Sequence, residues 1–142
     1  MKENNIKESQ VKLNGRDYLE IKVKNGKSHF SYIGCFEMHE LLQSFRKKHG
    51  DNVYQWPMPE GLSHSELLLK ELILKIKNQW AYPYTEDELC HCRIVKTEIV
   101  DQAILAGAHT PEAVSLWTSA STACGTCRPN VEKMIKYRLS GK

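Results

Sequence analysis

From Val11 to Ile33 apolar and polar residues tend to alternate, most cleanly where Leu19, Ile21 and Val23 interleave with Glu20, Lys22 and Lys24. A period of two puts one set on a buried face and the other in water, so the stretch reads as strand. Asn-Gly dipeptides at 14–15 and 25–26 flank it, and Asn-Gly is a favoured centre of two-residue hairpin turns. The pattern predicts a three-stranded antiparallel meander. From Phe36 the period changes: Met38, Leu41, Leu42 and Phe45 fall at i, i+3, i+4 and i+7, the stripe of a helix able to cover the sheet. Arg46, Lys47 and Lys48 suit the C-terminal end of that helix, and Gly50 suits its stop. After the helix-breaking "YQWPMPEG", Ser63 and Glu66 form a capping box for a second helix with Leu69, Leu72, Ile73, Ile76 and Trp80 as its buried stripe. "AYPY" at 81–84 reads as a linker. Beyond it the pattern is helical throughout. Ile99, Val100, Ala103 and Ile104 mark one helix ended by Gly107, Thr110 and Pro111 open another, and Val131, Ile135 and Leu139 mark a third. The fold class is therefore α+β: a small three-stranded sheet with helices over residues 8–80, then an all-helical domain over 85–142.

Composition narrows the functional classes. A chain of 142 residues with 41% hydrophobic and 26% charged residues is an ordinary globular length and mixture. The net charge of +3 arises entirely before residue 85, from 13 basic and 10 acidic residues, and is too small and dispersed to point to nucleic acid. The opening "MKENNIKESQ" lacks the apolar centre of a secretory signal and reads as a solvated tail. The longest apolar stretch, "ELLLKELILKIKNQW", is broken by Lys70, Glu71, Lys75 and Lys77 and falls short of the roughly 18 apolar residues of a membrane span. No membrane association is expected, and the cytoplasm is the expected compartment. In that reducing setting five cysteines are metal ligands or reactive thiols before they are a disulfide framework.

Four of the five form two close pairs, Cys90 with Cys92 in "ELCHCRIV" and Cys124 with Cys127 in "ACGTCRPN". Each pair precedes a predicted helix, where free backbone N–H groups and the positive end of the helix dipole favour thiolates. Four thiolates brought together without a cation would repel one another, so a soft or borderline metal centre is the economical reading. Zinc and a 2Fe-2S cluster both accept four cysteines, and a redox disulfide is a third option. Cys-x-Cys suits structural zinc poorly, because zinc knuckles more often leave two to four residues between ligands.

The run "ELCHCRIVKTEIVDQAILAGAHTPEAVSLWTSASTACGTCRPNVEKMI" resembles the BFD-like 2Fe-2S domain, named for bacterioferritin-associated ferredoxin and also found within NifU-type scaffold proteins and nitrite reductases. The resemblance rests on Cys-x-Cys, 31 intervening residues and Cys-x-x-Cys, with the Gly-Ala-x-Thr turn and the Cys-Gly-x-Cys loop. It implies that Cys90, Cys92, Cys124 and Cys127 bind a 2Fe-2S cluster. Ser121 departs from the family, which commonly has Gly there, but removes no ligand. Such a cluster carries a net charge of −2 when oxidised and −3 after one electron, so Arg93, Arg128 and the small Gly125-Thr126 backbone would favour its reduced form. His91 reads as a spacer, since a Rieske-like site needs two histidines. "CGTC" also resembles a thioredoxin site, but no strand is predicted before it.

Cys35 stands apart. "LEIKVKNGKSHFSYIGCFEMHEL" is faintly similar to NifU-type and IscU-type assembly scaffolds, in which a cysteine after Gly helps hold a nascent cluster; the scaffold's other cysteines and its small-residue helix are missing here. Cys35 and His39 also lie one helical turn apart. Trp56, Trp80 and Trp117 are expected in cores or interfaces. The expected function is one-electron transfer or cluster-dependent regulation, in iron storage and mobilisation or iron-sulfur biogenesis, with a redox protein or an iron-storage or iron-sulfur protein as partner. A zinc-stapled adaptor and a reduced NifU-like scaffold are the alternatives. No set of nucleophile, base and orienting group marks an enzyme.

Overall fold

The structure is a computed structural model that describes residues 7–13, 16–24, 27–34, 36–84, 88–90, 95–118 and 128–140, with only the main chain described at 88–90. The chain divides into two compact units, Met1–Trp80 and Ala81–Lys142.

In the first unit β1 (Lys7–Leu13), β2 (Asp17–Lys24) and β3 (Lys27–Ile33) form an antiparallel sheet in chain order. Register pairs Val11 with Leu19 and Ile21 with Phe30, so Val11, Leu13, Leu19, Ile21 and Val23 share the buried face. Backbone pairing recruits Lys7–Gln10 into β1, although those residues look like tail in the sequence: Lys7 pairs with Val23 and Ser9 with Ile21. A polar segment gains strand structure when its partner strand is held by a core. Lys24 pairs with Lys27 across the second connection, as a two-residue turn requires, whereas residues 14–16 separate the paired Leu13 and Asp17. Both Asn-Gly dipeptides lie outside the described residues.

α1 (Phe36–His49) buries Met38 and Leu42 and leaves Leu41 and Phe45 half-buried; it ends in a basic turn at Gly50, whose φ of 85° requires glycine. A single 3-10 turn, Val53–Gln55, then carries the chain to Trp56, which is buried, stacks on Phe30 at 5.2 Å and donates its indole N–H to the Gly50 carbonyl at 2.9 Å. α2 (His64–Ile76) packs on β1 and β2. Ser63 Oγ accepts from Glu66 N at 3.3 Å, and the Glu66 carboxylate accepts from both Ser63 Oγ at 3.0 Å and Gly61 N at 2.9 Å. The capping box therefore forms with its glutamate reaching two residues farther back than the usual pattern. Trp80 is not part of the α2 stripe. The helix stops at Ile76, Asn78 takes a left-handed φ of 58°, and the half-buried Trp80 ring sits beneath the Lys75 ammonium.

The second unit contains α3 (Thr97–Ala106), α4 (Pro111–Thr118) and α5 (Arg128–Ser140), and also a short antiparallel pair, β4 (Glu88–Cys90) with β5 (Val95–Lys96), where the pattern predicted helix alone. Val95, Val100, Ala103, Ile104, Ala108, Val114, Val131, Met134 and Ile135 form its core. Ile99 is on the wet side of α3, 51% exposed, and Leu105 takes a buried place instead. Gly107 closes α3 at φ 128°, and Thr110 Oγ1 caps α4 by accepting from Ala113 N at 3.1 Å. Residues 81–84 are packed structure and not free linker: Tyr82 and Tyr84 lie against this core, and Ala81 N donates to the Tyr137 hydroxyl at 2.7 Å. Among the described residues no helix is long and apolar enough to cross a membrane.

Candidate metal centre

Cys90 ends β4 and pairs in register with Val95, a residue of the core, after an irregularity between Glu88 and Cys90. Its main chain is thus fixed by a hairpin strand seven positions before α3, and the α3 dipole does not account for it as the sequence suggested. Cys127 directly precedes Arg128 in the sequence, and Arg128 is the first residue of a 13-residue helix, as the sequence pattern predicts. The side chain of Cys90 and all of His91, Cys92, Arg93, Ser121, Cys124, Gly125, Thr126 and Cys127 lie outside the described residues.

Arg128 does not stand as a free cation beside its cysteine. Its guanidinium hydrogen-bonds the Glu112 carboxylate on the first turn of α4, with Glu132 Oε2 at 3.8 Å on its other side. The Arg128 hydrogen bond holds the Glu112 carboxyl below the usual carboxylate range. The Arg128 charge expected to favour a reduced cluster is therefore already matched, and the arginine's evident effect is to join the start of α4 to the start of α5.

A second set of contacts leaves no local trace in the sequence, because its members are 19 and 37 residues apart. Asp101 on α3 takes a two-pronged pair from Arg138 on α5, with Nε to Oδ1 at 2.7 Å and the second arm to Oδ2 at 2.6 Å. Tyr82 donates its hydroxyl to Asp101 Oδ1 at 2.7 Å and lies under the Arg138 guanidinium at 5.5 Å from the ring centre. Burial, and then the Asp101 carboxylate, push the Tyr82 hydroxyl far above its ordinary pKa, so it stays a donor. The network fixes α3 against α5, the two helices downstream of the cysteine pairs.

In the first unit Cys35 lies outside the described residues. Its proposed metal partner His39 is engaged through Nδ1 with the Tyr32 hydroxyl. The sequence also gave no sign of a buried Asp17–His64 pair, 2.8 Å from Oδ2 to Nε2, against which the Gly34 backbone packs: a Cβ at Gly34 would come within 2.3 Å of Asp17 Oδ1. Among the described residues no three His, Cys, Asp or Glu come together as a site for a metal ion.

Residues 89–137 match the family model of the BFD-like [2Fe-2S] binding domain. The C-terminal region carries a BFD-like [2Fe-2S] domain. All four paired cysteines fall inside the match, which covers none of the first unit and gives the NifU-type resemblance there no support. No curated protein and no solved structure matches the chain. The domain implies a 2Fe-2S cluster as cofactor, and the chain is a 2Fe-2S-binding protein. Donor chemistry and frame fit that group: the two cysteine pairs would offer it four thiol donors, and in sequence Cys90 and Cys127 adjoin elements, β5 with Val95 and α5, that are anchored in one core.

Proposed function

We propose that Cys90, Cys92, Cys124 and Cys127 hold the cluster and that the protein is a one-electron carrier or cluster-dependent regulator in iron storage and mobilisation or in iron-sulfur biogenesis. The observation that carries this reading is the family match over 89–137, which encloses both cysteine pairs. Bound there, the cluster supplies reversible one-electron chemistry. The chain supplies a frame that need not rearrange between oxidation states. The capped α4, the Asp101–Arg138 pair and the core contacts of Val95 and Val131 support the elements next to the cysteine loops. The chain acts in this reading as a carrier in the cytoplasm, not as an enzyme, and its partner is a redox protein or an iron-storage or iron-sulfur protein.

Anaerobic reconstitution tests it. The loaded chain is expected to hold two irons and two sulfides, to absorb broadly in the visible, to bleach on reduction and to recover through repeated cycles without losing iron. Cys35→Ser is expected to leave loading and cycling unchanged. Rapid, complete delivery of the cluster to an apo-ferredoxin, abolished by Cys35→Ser, would overturn the carrier in favour of a scaffold. Stoichiometric zinc with no iron uptake would overturn both.

A further inference from the structure

The two edges of the first unit's sheet are finished differently. β1 carries Lys7, Glu8 and Lys12, and charged side chains of this kind discourage a further strand from pairing. β3 carries one charge, Lys27, at the end next to the turn, and over residues 28–33 it has no Lys, Arg, Asp or Glu. Its backbone phase follows from two observations. Lys24 faces Lys27 across a two-residue connection, so that pair exchanges hydrogen bonds, and Ser28, Phe30 and Tyr32 fall in the alternate pairs whose N–H and C=O groups point away from β2. Ser28 agrees: its N–H donates to the Asp51 carbonyl at 2.8 Å, and its carbonyl accepts from Arg46 at 3.2 Å. At Phe30 and Tyr32 the same outward groups meet no partner among the described residues. Beside them Ile33 and, at the start of α1, Phe36 are 78% and 74% exposed.

We infer that two copies of the chain join through this edge, β3 against β3, antiparallel about a two-fold axis at Ser31, so that two three-stranded sheets become one. The register follows from which groups are open. Centred on Ser31, Phe30 of each copy lies opposite Tyr32 of the other, and each of these two pairs exchanges two N–H···O bonds. Every open group at Phe30 and Tyr32 is then used, and none that Asp51 and Arg46 already hold. An axis at Phe30 would call on the Ser28 groups, which are taken. On the wet face Ser31 meets its own counterpart and Ile33 meets His29, so an exposed apolar side chain is covered and no like charges stand opposite. Phe30 opposite Tyr32 adds an aromatic pair on the other face. Every part of this match comes from the strand itself, which commits the edge to a second copy. The inference concerns the first unit and stands apart from the cluster reading.

The test uses the full chain, reconstituted anaerobically, from micromolar to near-millimolar concentration. Sedimentation velocity is expected to show a dimer, and protection of the Phe30 and Tyr32 amides from hydrogen exchange is expected to follow the dimer fraction, while Leu19 and Ile21 in the central strand stay protected throughout. Tyr32→Pro removes one outward N–H from each copy and leaves the β2–β3 ladder intact, as edge prolines do, and is expected to abolish the dimer. Ser31→Lys sets two ammonium groups opposite each other across the axis, yet faces Glu20 within its own sheet. It is expected to weaken association about fivefold, and it keeps the test open should the proline variant not fold. A chain that stays monomeric over the whole range overturns the inference and leaves the edge to water or to a foreign strand. So does a dimer that survives both substitutions, which would lie on another face. Protection of Phe30 and Tyr32 in a monomer overturns it as well, because a segment of the same chain would then cover the edge.

Discussion

Asp101, Tyr82 and Arg138 show how a few polar atoms can hold two helices. Arg138 is 4% exposed, and removing it would leave the Asp101 carboxylate and the Tyr82 hydroxyl without the cation between them. Breaking a buried pair from one side typically costs about 3–5 kcal/mol; Asp101 retains some solvent contact, so Arg138→Met is expected at the lower end of that range in denaturant unfolding of the second unit. Tyr82 permits a sharper test. Its folded pKa is raised, so its contribution to stability is complete below the unfolded value near 10 and is lost progressively as pH rises above it. In an ultraviolet titration of the native protein, Tyr82→Phe should leave the number of ionising tyrosines near pH 11 unchanged. In denaturant the same substitution should remove one. A native-state loss of one tyrosine would show that Tyr82 titrates freely and that burial does not hold it.

At the scale of elements, the parts that were legible in the sequence are those with short-range causes. The β2 alternation, the Ser63 capping box, the Thr110-Pro111 helix start and the Gly50 and Gly107 stops all depend on residues within about one turn or one strand, and each forms. The cysteine pairs were equally legible, because ligand spacing is local. What escaped depends on distant partners. Lys7–Gln10 becomes strand only because β2 lies beside it, residues 81–84 become structure only because α5 presents Tyr137, and Asp17 and His64 meet across 47 positions. Local causes also give local predictions. Ser63→Ala removes the acceptor for Glu66 N and one arm of the bracket that reaches Gly61, so it should cost about 1 kcal/mol. Hydrogen exchange should speed in the first turn of α2 and not in α4, which has its own cap at Thr110. Equal acceleration in both helices would mean that the loss is global and that Ser63 does more than cap.

Considered as a whole, the chain joins a unit that has a sheet for its core to one whose core, among the described residues, is built mainly on short helices. The first unit packs Leu19, Ile21, Met38, Leu67, Leu72 and Ile73, all under 2% exposed, between a three-stranded sheet and two helices of 13 or 14 residues. The second has helices of 10, 8 and 13 residues around its small core, and Leu116 and Trp117 on α4 stay 83% and 53% exposed. A unit of about sixty residues buries a smaller share of its surface than a larger domain and commonly needs a further tie. Its two cysteine pairs flank most of that helical core in sequence, so a cluster bound by all four closes a loop across it, and its binding energy becomes folding energy. Cys124→Ser should therefore raise hydrogen exchange strongly over residues 95–138 while residues 7–76 keep their protection. Iron chelation of the wild type should give the same pattern, and anaerobic reconstitution should reverse it in the wild type alone. Equal protection of α3 and α5 with and without cluster would show that the Asp101–Arg138 pair and the Val100–Ile135 core hold the helices unaided, and would make the cofactor a passenger on a finished fold.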